Sequence, residues 1–235
     1  MNVIDTQIMD IDIEEIKDVE MNSLVNTKTI IKNNRIYKIL KRGFDFIASL
    51  CGMVLLSPIF LIISIAIKLD SKGKVFFSHK RIGKNGKEIF VYKFRTMCEN
   101  AQDMIKDFTP EQQKEFKENY KLQNDPRITR VGSFLRKTSL DELPQLLNIL
   151  KGDLSVIGPR PVIEEELEKY GESKDKFLSV TPGLTGYWAA NGRSETTYDE
   201  RIQMELYYVD NMSLKLDVKI FIDTIKSVIN KRGAI

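Results

Sequence analysis

FDFIASLCGMVLLSPIFLIISIAIKLD, residues 44–70, is the stretch whose reading decides how this chain is arranged. Between Asp45 and Lys68 stand 22 residues without a charge, most of them apolar. About 20 such residues, as a helix, cross the ~30 Å hydrocarbon core of a bilayer. Two features complicate a simple crossing. Ser57-Pro58 sits in the middle, and both flanks are basic: Lys38, Lys41 and Arg42 before it, Lys68, Lys72, Lys74, Lys80, Arg81 and Lys84 after it. Short Lys- and Arg-rich flanks favour the cytoplasmic side, so a straight span exports one of the two clusters. Proline inside a helix removes a hydrogen bond and crowds the preceding turn. The Ser57 hydroxyl can serve backbone groups freed in this way. A helix broken at Ser57-Pro58 has halves of roughly 11 residues, about 16 Å each, which reach about half-way into the core and bring both clusters back to one side. Three readings stay open: a re-entrant helix-break-helix, a kinked span, and a buried soluble helix.

Outward from that stretch, the net charge of +3 hides an asymmetry. Residues 1–29 carry a net −5, leaving +8 on the remainder. The acidic segment, residues 1–34, reads as a disordered extension. A basic body suits anionic partners: nucleic acid, lipid headgroups or phosphorylated substrates. Cys51, Cys98 and His79 are too few and too scattered for a disulfide framework or a metal-ligand set, and they fit a reducing compartment. The acidic start and the late, long apolar run do not resemble a cleavable signal peptide.

Past residue 73, KVFFSHKRIGKNGKEIFVYKFRTM alternates apolar and polar residues around Asn85-Gly86, a hairpin signal. Met104, Ile105 and Phe108 recur at helical spacing, and a short helix follows Pro110. IEEELEKYGESKDKFL reads as a helix, TPGLTGYW as a turn and short strand, and NGRSETTYDERIQMELYYVDN as a loop and helix. In the last segment Leu214, Val218, Phe221, Ile225 and Val228 share one helical face, with Lys215, Lys219 and Lys226 off it. Core packing and an interfacial membrane helix both account for that face.

The chemistry concentrates in LRKTSLDELPQLLNIL, residues 135–150. Asp141 and Glu142 open an apolar-periodic helix. A capping box with Ser139 as N-cap would put Pro144 where an N–H is required. With Asp141 as N-cap, Pro144 falls in the first turn, where none is needed. A helix mouth favours an ionised carboxylate and attracts phosphate. Arg127, Arg130, Arg136 and Lys137 lie just upstream. A carboxylate among phosphate-binding groups suits an aspartyl-phosphate intermediate, while plain helix capping remains the simpler account. In Gly158-Pro159-Arg160-Pro161 two prolines stiffen the backbone around Arg160, and a fixed guanidinium fork suits a diphosphate. Asn191-Gly192-Arg193-Ser194 is a weaker second turn carrying an arginine. His79 reads as a strand-surface residue, and Tyr187-Trp188 as packing.

KRGFD, the mid-segment Ser-Pro, VYKFRTM, LRKTSLDELPQLLNILKGDLSVIGPRP, TPGLTGYW and NGRS occur in this order, and together they resemble the bacterial sugar transferase family, the monotopic polyprenol-phosphate phosphoglycosyl transferases. The resemblance covers about residues 36–230. It implies an α/β (α+β) fold: a basic anchor and re-entrant helix over residues 35–72, broken at Ser57 and Pro58, then a catalytic domain over residues 73–235 with a hairpin and interfacial amphipathic helices. It implies a location at the bacterial inner membrane, on its cytoplasmic face. It further implies transfer of a sugar 1-phosphate from a UDP-sugar, a hexose such as galactose or glucose, to undecaprenyl phosphate, with UMP released. Asp141 would be the nucleophile and Glu142 its partner, both in reach of Mg2+. Arg136, Arg160 and Arg193 would bind substrate phosphate, and Lys41 and Arg42 would anchor to headgroups of membrane lipids. Nucleic acid is then not a partner, and a homodimer is, since such transferases commonly pair. A reading of a different class is a membrane-anchored, non-catalytic scaffold for polysaccharide assembly, whose acids only cap a helix.

Overall fold

In a computed structural model the described residues are 35–119, 122, 124–192 and 196–229. The acidic extension (residues 1–34) and Arg193 lie outside them. The apolar stretch forms one helix, α1 (Arg35–Asp70), which runs through Ser57-Pro58 without interruption. The expected helix-break-helix is therefore one continuous helix, and a local hydrogen bond explains how. Pro58 cannot donate to Val54, four residues back. The Ser57 hydroxyl donates to that Val54 carbonyl instead, at 2.8 Å, so the orphaned acceptor is satisfied.

One stripe of α1 faces the rest of the molecule. Tyr37, Asp45, Ser49, Ile63 and Ile67 are buried, and Gly52, Leu56 and Phe60 are half-buried between them, at the three- and four-residue spacing of a helix face. Polar contacts hold the first half. Tyr37 and Lys41 both donate to Asp217 Oδ2 at 2.9 Å, and Asp45 Oδ1 accepts the Val156 N–H at 2.9 Å. Arg42 donates to the Ile149 and Leu150 carbonyls at 2.6 and 2.7 Å. Lys41 and Arg42, expected at lipid headgroups, thus have protein partners. The second half packs Ile63 and Ile67 against Phe94 and Leu135, and Asp70 accepts the Val131 N–H. The outward faces carry Leu40, Phe44, Ile47, Leu50, Val54, Leu55, Leu61, Ile62 and Leu69, all exposed.

Beyond α1 the hairpin forms as expected. Strands β1 (Phe76–Ile82) and β2 (Glu88–Phe94) pair antiparallel through a turn in which Asn85 and Gly86 both take positive φ. Helices α2 (Pro110–Asn119), α3 (Arg130–Thr138) and α4 (Gln145–Lys151) follow. A parallel pair, β3 (Ser155–Ile157) and β4 (Gly183–Thr185), brings two distant loops together. Their approach requires glycine: a side-chain carbon on Gly183 would collide with the Gly158 backbone, and one on Gly158 with the Thr181 carbonyl. Between them the expected single helix is broken into α5 (Glu164–Leu167), a 3-10 stretch and α6 (Lys174–Leu178). Gly171, at φ 49° and ψ −128°, ends the helical path.

Helices α7 (Tyr187–Asn191), α8 (Tyr198–Asn211) and α9 (Leu214–Ile229) complete the chain. The main core joins Ile89, Val91, Ile149, Leu154, Val156, Ile157, Tyr208 and Ile220. α9 is oriented opposite to a core helix. Its Asp217, Ile220 and Ser227 are buried, whereas Leu214, Val218, Phe221, Ile222 and Ile225 are exposed. Of the two accounts of this helix, core packing of its apolar face is excluded.

Candidate active site

Asp141 does not cap a helix. α3 ends at Ser139, which takes the left-handed conformation (φ 56°, ψ 17°), and Leu140–Glu142 form a 3-10 turn. Pro144, at φ −62°, is the N-cap of α4. Both expected registers are therefore replaced by a tighter one. Pro144 at the cap has no N–H to satisfy, and the preceding turn carries the acids. Leu140 and Leu143 pack beside Phe94 and Leu135, which fixes the turn from below.

Burial sets the character of Asp141. It is 8% exposed, and its carboxyl is raised above the ordinary carboxylate range, chiefly by desolvation. Lys93 is the leading opposing influence, Glu142 pushes further upward, and Arg136 pulls down. Lys93, on β2, reaches both acids: its ammonium is 3.6 Å from Asp141 Oδ2 and 2.6 Å from Glu142 Oε1. Arg136 donates from Nε to Thr96 Oγ1 at 3.0 Å. Its guanidinium is lowered by burial, with Asp141 the strongest influence in the other direction, and it remains a cation. Arg127 is committed elsewhere. It forms a two-pronged pair with Asp125, at 2.8 and 2.6 Å, between the rings of Phe108 and Phe116.

The hairpin extends this site. Lys93 lies opposite Phe77, with Val91 opposite His79 and Ile89 opposite Arg81. Lys93, His79 and Arg81 therefore project from one face, spread over about 13 Å of strand. His79 is exposed, as expected, and its imidazole is lowered by burial of its inner edge and by Arg81 and Lys93. Arg81 pairs with Glu166 at 3.2 Å and is lowered by burial and then by neighbouring Arg160. Arg160 and Arg201 both stand over the Trp188 ring, 5.8 and 4.7 Å from its centroid. A cationic face thus runs from the acid pair to the Pro-Arg-Pro loop.

Of the residues expected in the site, Asp141, Glu142 and Arg136 come together. Arg160 stands at the far end of the cationic face, and Ser57 and Pro58 lie on α1. Lys93 was missed. Inside an alternating strand a lysine looks solvent-facing, and only its register opposite Phe77 puts it beside the acids. Arg201 and Glu205 were also missed, although a signal exists: with Tyr208 they recur every three or four residues on the buried face of α8. Among the described residues no group of three His, Cys, Asp or Glu side chains gathers to hold a metal.

Comparison with known proteins follows this geometry. The sequence profile described as bacterial sugar transferase matches residues 36–231. The undecaprenyl-phosphate galactose phosphotransferase of Salmonella typhimurium is 42% identical over 87% of this chain. The UDP-galactose-lipid carrier transferase of Erwinia amylovora is 41% identical over 84% of it. The exopolysaccharide production protein ExoY of Rhizobium meliloti is 46% identical over 83% of it. The chain spans only 44% and 42% of the first two proteins, but 87% of the third.

Proposed function

This chain belongs to the bacterial sugar transferase family, and we propose that it transfers a sugar 1-phosphate from a UDP-sugar to undecaprenyl phosphate, at the cytoplasmic face of a bacterial inner membrane. The observation that carries the reading is the buried Asp141 carboxylate set against Lys93 and Arg136. The names of two relatives, a galactose phosphotransferase and a UDP-galactose-lipid carrier transferase, support galactose as the donor sugar.

In the first step an Asp141 oxygen attacks the phosphorus bonded to the sugar. The bond from that phosphorus to UMP breaks, and UMP leaves with the electron pair. In the second step a phosphate oxygen of undecaprenyl phosphate attacks the same phosphorus. The aspartyl bond breaks, Asp141 regains its carboxylate, and an undecaprenyl diphosphosugar departs. Desolvation strips water from the attacking oxygen, and Lys93 keeps it ionised in spite of burial. Arg136, and Arg160 across the cationic face, neutralise the diphosphate. Asp141 and Glu142 supply hard oxygen ligands, which fit magnesium held by one or two carboxylates together with substrate phosphates. Bound there, magnesium would offset diphosphate charge and ease departure of the nucleotide.

The contacts of α1 support a re-entrant placement. Its first half bonds to Asp217 and Val156, and its second half to Val131 and the Phe94–Leu135 cluster. Both halves meet the same folded unit, which keeps both ends of α1 on that unit's side of the bilayer, while its apolar outer side takes the lipid. The outward apolar side of α9 suits the interfacial layer beside it.

Intact-protein mass spectrometry after incubation with UDP-galactose and magnesium, without lipid acceptor, tests the chemistry. The expected result is UMP release and a hexose-phosphate adduct, both absent in Asp141→Asn. Turnover with acceptor present but no adduct at any quench time would sink the two-step route.

A further inference from the structure

Apart from the acid pair, the described residues hold a second buried acid whose surroundings are incomplete. Glu205, on α8, is 1% exposed. Its Oε1 accepts the backbone N–H of Arg160 at 3.1 Å. Its Oε2 is buried without a hydrogen-bond partner, and so are Nε and Nη2 of Arg201 and the hydroxyl of Tyr170. These groups share one neighbourhood: Arg201 and Arg160 act on Glu205, and Glu205 and Arg201 act on Tyr170. Buried polar atoms are almost always partnered, so a knot of four orphans asks for a role. The Glu205–Arg160 contact points to one, because it is the side-chain anchor of the loop that carries Arg160. The Gly158 and Gly183 backbones hold the root of that loop, and Glu205 holds its tip.

We propose that Glu205 is a positioning residue for donor binding: its carboxylate grips the Arg160 amide and thereby aims the Arg160 guanidinium at the donor diphosphate. The inference rests on the reading of Arg160 as a donor-phosphate residue. An ionised carboxylate is a stronger acceptor than a protonated one, so the grip depends on the charge of Glu205. Burial pushes its carboxyl up to about 7, against the Arg160 amide and the charges of Arg201 and Arg160. The groups facing it are Arg201 and Tyr198 from α8, Arg160 from the loop after β3, and Tyr170 from the 3-10 stretch. Gly186 at the start of α7 brings no titratable group. The arginines stay charged and the tyrosines, both raised, stay neutral through neutral pH. Glu205 is then the member of the cluster that changes charge between pH 6 and 8, and ionisation tightens the grip.

The test is equilibrium binding of UDP-galactose to full-length enzyme in phosphatidylglycerol–phosphatidylethanolamine nanodiscs. An Asp141→Asn background removes both turnover and the titration of that acid. The donor diphosphate carries no titrating proton in this range. From pH 6 to pH 8 the Kd is expected to fall about fivefold, the value of one strengthened hydrogen bond. Adding Glu205→Gln should flatten the profile near its pH 6 level. Should that variant unfold, Glu205→Asp, which keeps the charge but withdraws Oε1 from Arg160, should bind weakly at every pH. A Kd flat across the range with Glu205 in place overturns the proposal and leaves the donor reading standing. Absence of UDP-galactose binding at any pH overturns both.

Discussion

The two sides of this molecule obey opposite solvents. On the hairpin side, apolar Ile89, Val91 and Phe94 are buried, and the cations Lys93 and Arg81, with His79 between them, lie at the candidate site. On the side formed by α1 and α9 the order is reversed. Tyr37, Lys41, Asp45 and Asp217 bond to protein, while leucines, isoleucines and phenylalanines line the outside. In water the second arrangement would leave a large apolar surface exposed, which stable monomers avoid. The contrast teaches that periodicity identifies the apolar face of a helix but does not say whether protein or lipid covers it.

The contrast can be broken first on the hairpin side. Lys93→Met leaves Asp141 and Glu142 adjacent without their shared cation. UMP release should fall by about 10²- to 10³-fold, the cost of losing a preorganised charge in a buried site. Asp141 is already raised by burial, and Lys93 is the main group lowering it. Removal should therefore move the acid limb of the rate profile to higher pH. An unshifted limb would mean that Lys93 acts on substrate rather than on Asp141.

A smaller effect is expected on the inverted side. Asp217 accepts from Tyr37, Lys41 and Tyr208. Asp217→Ala leaves the half-buried Lys41 ammonium without its carboxylate and takes one acceptor from each tyrosine, so stability in detergent should drop by about 3 kcal/mol, read from denaturant unfolding. Asp217→Asn, which keeps an acceptor, should lose less. The third measurement perturbs least. In a background without Cys51 and Cys98, single cysteines at Lys38, Lys74 and Phe221 are labelled in sealed vesicles. The first two should react only from the cytoplasmic side, and the third only after the bilayer is dissolved. Opposite labelling of Lys38 and Lys74 would make α1 a span.

Much of this was legible beforehand because it depends on local rules. Asn85-Gly86 fixed the hairpin through its need for positive φ, and the adjacent acids before Pro144 marked the turn at which the candidate site gathers. What stayed hidden depends on contacts far apart in sequence. Pro58 was expected to break α1, but the Ser57 hydroxyl takes over the one acceptor that proline strands. The helix expected over 163–178 is interrupted by the positive φ of Gly171, which its apolar spacing does not record. Glu205 carried no signal of its own in the sequence, and only the packing of β3 against β4 brings the Arg160 loop onto it.

The Tyr37–Asp217 bond joins residues 180 positions apart, and this has a consequence for how the protein is made. At ribosomal rates of about 5–20 residues per second, the partner of Tyr37 and Lys41 emerges roughly 10–40 s after they do. Until then the polar stripe of α1 lacks its Asp217 partner. In the proposed placement lipid insertion would come first and docking last, and the nascent helix would depend on the membrane, or on an escort, to shelter it until α9 arrives.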